Sequence, residues 1–218
     1  MSVHRLVRRV RYGAPIIVVS GLPRSGTSMM MQMLSAGGVS VVSDGVRAPD
    51  DSNPEGYFEL EAVKALDKPG DRRWLSEARR RAVKIVSALL EHLPESFNYR
   101  VIFMERPLAE VLASQDAMLA RHAAAGDAAA AGATGSSHAA LAVKYERHLR
   151  RVHALITRRA CFEVLTVSYT DTVANPRATA DEVARFLGRT LDVAAMAASV
   201  NASLYRERTD PVRGRRDR

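Results

Sequence analysis

Apolar and polar residues alternate along the chain in two periods, and the switches between them mark the elements. Residues 15–20, PIIVVS, are a short β-branched run cut off by Gly21, the pattern of a strand buried on both faces of a parallel sheet. From 25 to 36 the spacing becomes helical, with Met29, Met30, Met33 and Leu34 on one face. A second strand is predicted at 39–42, followed by a polar, proline-bearing loop over 43–59 that contains DDSNPEGYFE. Helical patterns over 60–80 lead to a third strand at 82–87 and a fourth at 99–104, YRVIFM. A helix starts after Arg106, where Pro107 suits a first turn and Leu108, Val111, Leu112 and Gln115 follow at helical spacing.

Residues 123–140, AAAGDAAAAGATGSSHAA, break this regularity and read as a mobile insertion or lid. Beyond them Leu141, Tyr145, Leu149, Val152 and Ile156 mark one stripe of a long amphipathic helix, 163–167 is a fifth strand, and Asn175-Pro176 opens a last helical region through Phe186-Leu187-Gly188. Strands alternating with helices predict an α/β fold in three layers: a central parallel sheet of about five strands with helices on both faces. No repeat or linker divides the chain, so one domain is expected over 15–205, between basic tails at 1–14 and 206–218.

Composition adds few constraints. The 218 residues are 47% hydrophobic and 26% charged, ordinary for a globular protein with a full core. No apolar run approaches the roughly 20 residues that span a bilayer, and the first 15 residues lack a secretory signal's apolar core, so a cytoplasmic protein with no membrane partner is expected. The single cysteine, Cys161, excludes an internal disulfide and any multi-cysteine metal site. No metal is expected.

The net charge of +8 and pI near 10.1 raise the question of nucleic acid. Residues 1–11 carry +4 through Arg5, Arg8, Arg9 and Arg11, residues 206–218 carry +3, and the body between is left at +1. The basicity therefore belongs to the ends, which read as solvated tails, and nucleic acid is not expected as a partner.

GLPRSGTS at 21–28 is nearly the phosphate-binding pattern G-x-x-x-x-G-K-[ST]: Gly21, Gly26 and Ser28 fit, and Thr27 stands where the lysine belongs. With a strand before and a helix after, its backbone N–H groups and the hydroxyls of Ser25, Thr27 and Ser28 can hold an anion, and the cation has moved to Arg24. A planar guanidinium three residues earlier does not reproduce the lysine and Mg²⁺ arrangement of a nucleotide triphosphatase.

PIIVVSGLPRSGTSMMMQML resembles the 5′-phosphosulfate loop of sulfotransferases that use 3′-phosphoadenosine 5′-phosphosulfate (PAPS). VIFMERPLAEVLASQ is similar to that family's 3′-phosphate motif, an arginine at a strand end and a serine eight residues later, here Arg106 and Ser114. VLTVSYTDTVANPRATADEVARFLG resembles its strand, turn and helix ending in FLG, which makes Tyr169 an adenosine contact by resemblance, and DDSNPEGYFE is similar to a loop of bacterial members. The likeness runs over about 15–190. It implies a P-loop-type fold, sulfuryl transfer from PAPS to a hydroxyl or amine of a small-molecule acceptor, and release of 3′-phosphoadenosine 5′-phosphate (PAP). Arg24, Ser25, Gly26, Thr27, Ser28, Arg106, Ser114 and Tyr169 would hold the nucleotide, and Arg24 would also neutralise the leaving oxygen.

The acceptor's base stays open. Cytosolic members carry a histidine in a K-T-H-L-P segment, where this chain has Lys84-Ile85-Val86, with Val86 at the histidine's place and His92-Leu93-Pro94 further on. His92 is one candidate; Asp44 and Glu59, placed after the first helix as in branches that use a carboxylate, are the others. Each also suits a surface or capping role, the commoner one for such residues. Tyr57 and Phe58 are candidates for lining the acceptor pocket, and Arg206 for reaching the nucleotide. Two other classes are weighed: a P-loop kinase with Glu105 as metal acid, against which the absent lysine stands, and a non-catalytic nucleotide- or nucleic-acid-binding module. Neither acceptor nor oligomeric state is legible.

Overall fold

The computed structural model describes residues 3–45, 58–124 and 138–201. Helix α1 (Val3–Tyr12) precedes strand β1 (Ile16–Gly21) and helix α2 (Thr27–Ala36). Single-turn helices α3 (Glu61–Lys64) and α4 (Trp74–Glu77) lead to β2 (Ala82–Lys84), a 3₁₀ helix at Ser87–His92 and β3 (Tyr99–Glu105). Then come α5 (Leu108–Ala124), α6 (His138–Arg158), β4 (Phe162–Ser168), α7 (Tyr169–Ala174), α8 (Pro176–Leu187) and α9 (Val193–Ala198).

The sheet is parallel throughout, in the order β2-β1-β3-β4. Its two faces bury alternate side chains of each strand. Ile16, Val18, Val101 and Phe103 pack on one side with Leu90 and with Val152 and Ile156 of α6; Ile17, Val19, Ile102 and Met104 pack on the other with the α2 methionines, Val183 of α8 and Met196 of α9. Burial on both faces is the reason β1 is apolar from Ile16 through Val19, and every position in it is buried. The chain runs from β1 outward to β2, then crosses back to β3 on the opposite side of β1. The carboxyl ends of β1 and β3 thus flank a topological switch point, where an open α/β sheet leaves a crevice for ligands.

Three expectations change. Among the described residues the sheet has four strands, because 39–42 contributes a single bridge, Val41 to Ala82. The Val42 amide donates to the Ala82 carbonyl at 2.7 Å, and the chain then turns away as the Asp44 amide bonds to the Glu59 carbonyl. The strand expected over 82–87 stops at Lys84, since the Leu89 amide bonds back to the Val86 carbonyl and starts the 3₁₀ turn. The first residues also differ from a solvated tail: Val3–Tyr12 is a helix held to the domain by Arg8, which donates to the carbonyls of Glu95 and Phe97. Tyr57, Arg206, the 206–218 segment and residues 125–137 of the expected insertion lie outside the described residues.

Candidate active site

The loop between β1 and α2 closes through two left-handed residues, Arg24 (φ 69°) and Gly26 (φ 96°), and through a Ser25 amide bond to the Leu22 carbonyl. Gly26 serves a close approach as well as a turn: a Cβ there would lie 2.4 Å from the Tyr169 ring. At Gly21 a Cβ would collide with Ser25 Oγ at 2.4 Å and the Met104 carbonyl at 2.6 Å. For Arg24, which has a Cβ, the left-handed backbone costs of order 1–3 kcal/mol. No side chain caps α2, and no acid stands in its first turn. The Ser25 hydroxyl is buried with no hydrogen-bond partner. An orphaned buried hydroxyl under an uncapped helix N-terminus is a donor set suited to an anion.

Arg106 leaves the end of β3 and is joined to this loop. Its Nη1 donates to the Arg24 carbonyl at 3.3 Å, its Nε donates to Glu110 Oε2 at 3.0 Å, and its guanidinium carbon lies 4.5 Å from the Tyr169 ring centroid. The pair with Glu110 is almost fully buried, the side chains being 6% and 2% exposed. On α5, Ser114 Oγ accepts from Arg24 Nε at 3.1 Å. Tyr169 is set in position from below: the Ser168 hydroxyl caps α7 by accepting from the Asp171 amide, so Tyr169 occupies the first helical turn directly after β4. Arg24, Gly26, Arg106, Ser114 and Tyr169 are therefore linked by direct contacts, and Thr27 and Ser28 open α2 beside them.

The three candidate bases go to different places. Asp44 Oδ2 accepts from the Glu61 amide at 2.6 Å and so caps α3 across the loop. Glu59 lies with Oε1 3.9 Å from Lys84 Nζ and Oε2 3.9 Å from Lys64 Nζ. Lys84, at the end of β2 and in register with Val19, brings Glu59 to the carboxyl edge of the sheet. His92 ends the 3₁₀ helix beside Glu91, two residues before Pro94, whose carbonyl accepts from the Tyr99 hydroxyl at the start of β3. That is the opposite edge, away from the loop. Phe58 packs against the α2 side of the core.

Four contacts were not anticipated. Glu110, the buried partner of Arg106, sits four residues on along a helix, a spacing that could have announced it. The Lys84 and Glu59 pair spans a loop and has no such signal. His148 Nε2 and Ser87 Oγ are 2.8 Å apart, joining α6 to the chain just past β2, and desolvation, reinforced by Arg151, pushes the imidazole below its ordinary value. Glu105 faces His153 Nε2 at 3.0 Å.

The sulfotransferase domain family model matches residues 14–209. No curated protein matches the chain. Among solved structures, the sulfotransferase domain of the Synechococcus PCC 7002 olefin synthase aligns over 90% of this chain and 81% of its own length at 17% identity and a TM-score of 0.50. Sulfotransferase STF1 from Mycobacterium tuberculosis H37Rv aligns over 93% and 79% at 17% identity and 0.51. The sulfotransferase domain from the curacin biosynthetic pathway aligns over 88% and 89% at 15% identity and 0.50. At these identities the structural likenesses speak for the fold, and the family rests on the match across nearly the whole chain. The protein belongs to the sulfotransferase domain family and is an enzyme of sulfuryl transfer.

Proposed function

We propose that the enzyme takes its sulfuryl group from PAPS and passes it to a hydroxyl or amine of a small-molecule acceptor, leaving PAP. The observation that carries this reading is the contact chain from the Arg24 loop through Arg106 and Ser114 to Tyr169, which joins a turn suited to an anion to a second arginine, a hydroxyl and an aromatic ring. PAPS has two anionic groups on one adenosine, and these residues would meet it group by group. Ser25, Gly26, Thr27 and Ser28 would hold the 5′-phosphosulfate, with the orphaned Ser25 hydroxyl as one donor. Arg106, steadied by Glu110, and Ser114 would hold the 3′-phosphate, and Tyr169 would lie against the adenosine.

When bound, PAPS supplies an activated sulfuryl group whose bond to the phosphate oxygen breaks as the acceptor oxygen or nitrogen bonds to sulfur. Arg24 would stabilise negative charge on the departing phosphate oxygen, a contribution of about 2–4 kcal/mol. The acceptor's proton would go to Glu59, the candidate carboxylate held at the carboxyl edge by Lys84. Asp44 serves as the cap that shapes the same loop.

The 3′-phosphate assignment is tested by titrating PAP and adenosine 5′-phosphate into the wild type and Arg106→Ala. Wild-type protein should prefer PAP strongly, and the variant should bind the two nucleotides alike. An Arg106→Ala variant that is folded and still prefers PAP contradicts the assignment.

A further inference from the structure

Helix α1 is turned inside out. Its polar side is the docked one: besides the bonds from Arg8 to the carbonyls of Glu95 and Phe97, Arg8 Nε donates to Asn98 Oδ1 at 3.2 Å and Asn98 Nδ2 returns a bond to the Arg8 carbonyl at 3.1 Å. Arg5 lies 3.7 Å from Glu163, and the Tyr12 carbonyl accepts from Arg79. At 3.6 residues per turn the side away from these contacts reads, around the helix, Arg9, Leu6, Val10, Val7, Arg11. The three apolar side chains are 54%, 83% and 58% exposed in that order, an apolar stripe facing water between two exposed arginines.

The charges decide what covers the stripe. The helix carries four arginines and no acid, so a second copy would bring like charge against like. Three small apolar side chains fall far short of a stable protein interface. Nucleic acid would engage the arginines and leave the stripe unused. An anionic lipid surface uses both, apolar side chains entering the boundary of the acyl chains and arginines meeting headgroup phosphates.

We infer that α1 is a peripheral membrane contact, laying Leu6, Val7 and Val10 into an anionic lipid surface with Arg9 and Arg11 at its headgroups. No described helix is long and apolar enough to cross a bilayer, and the expectation of no membrane partner rested on that criterion; lying on a surface requires no such length. The placement is also compatible with turnover. Asn98 precedes β3 and Glu163 stands near the start of β4, so α1 occupies the amino edge of the sheet, while the Arg24 loop and Arg106 stand at the carboxyl edge and would face away from the lipid.

Co-sedimentation of the full chain with phosphatidylglycerol-rich vesicles and with vesicles of phosphatidylcholine alone tests this. The wild type should bind the anionic vesicles at low ionic strength and leave the neutral ones. The triple variant Leu6→Ser, Val7→Ser, Val10→Ser, which keeps every arginine, should bind about tenfold or more weakly, with PAP affinity unchanged as the control for folding. A bimane on Val10→Cys should shift to the blue on the anionic vesicles. No binding, binding by the triple variant equal to the wild type, or a lipid-free dimer that the triple variant abolishes would each overturn the inference.

Discussion

Arg24 Nε donates to Ser114 Oγ across 3.1 Å, so a residue of the β1 loop is tied to the second turn of α5, ninety positions away. The same residue's carbonyl accepts from Arg106. The cation that replaces the usual loop lysine is thus the link between the two phosphate-binding elements proposed here.

Arg24 combines the side chain proposed to steady the leaving oxygen with a strained backbone, and two substitutions separate them. Arg24→Ala should slow PAP release from PAPS, with water as acceptor, by about 10²–10³-fold, with little change in thermal stability. Arg24→Gly should be equally slow yet more stable than Arg24→Ala by about 1 kcal/mol, because glycine accepts the φ of 69°. Thermal unfolding and PAP release on both variants check this.

Gly26→Ala should lose PAP affinity and about 1–3 kcal/mol of stability, since its Cβ would strike the Tyr169 ring at a φ of 96°. Adding Tyr169→Ala should remove the collision without restoring binding. A Gly26→Ala protein as stable as the wild type would contradict the observed contact.

Glu110→Ala leaves the buried Arg106 guanidinium without this carboxylate and should destabilise the fold by about 3–5 kcal/mol, with Glu110→Gln recovering part of the loss because its amide oxygen still accepts from Arg106. Denaturant unfolding of the two variants gives the comparison.

The three acids and bases singled out by sequence should behave differently. Glu59→Gln should lower PAP release by about 10²-fold or more with PAP affinity unchanged. Asp44→Asn should cost about 1 kcal/mol of stability, the worth of a cap. His92→Ala should leave the rate as it was, because His92 lies at the far edge of the sheet. A rate that depends on His92 and ignores Glu59 would reverse the assignment.

His148 gives a pH signature. Burial beside Ser87 holds the folded imidazole below its ordinary value, so on acidification the unfolded chain takes up this proton first. Stability should therefore fall as pH drops through about 6.5 and level off below the folded value, and His148→Gln should flatten that part of the profile. Thermal unfolding across this window tests it.

The parts of the fold that were legible in the sequence are those with local patterns. β1 and β3 show the continuous apolar runs of strands buried on both faces, and the Arg24 loop and the Arg106 to Ser114 spacing are short motifs whose geometry is set by a strand end and a helix start. What escaped depends on contacts between distant segments. Arg8 reaches carbonyls nearly ninety residues away, and carbonyls carry no residue-specific signal, so α1 looked like a free basic tail. Tyr169 against Gly26 and Lys84 against Glu59 likewise join elements that only the sheet order brings together. The run at 39–42 has a strand's composition, but its exit toward Glu59 leaves room for a single bridge.

We propose that this loop and Arg106 with Ser114 together hold a nucleotide with a 3′-phosphate. Calorimetric titration of the wild-type protein with PAP in the absence of divalent metal, beside adenosine 5′-phosphosulfate and ATP with Mg²⁺, tests it most directly. Tight metal-independent binding of PAP that weakens sharply without the 3′-phosphate is the predicted result; a preference for ATP with Mg²⁺, or no binding of PAP, would contradict it.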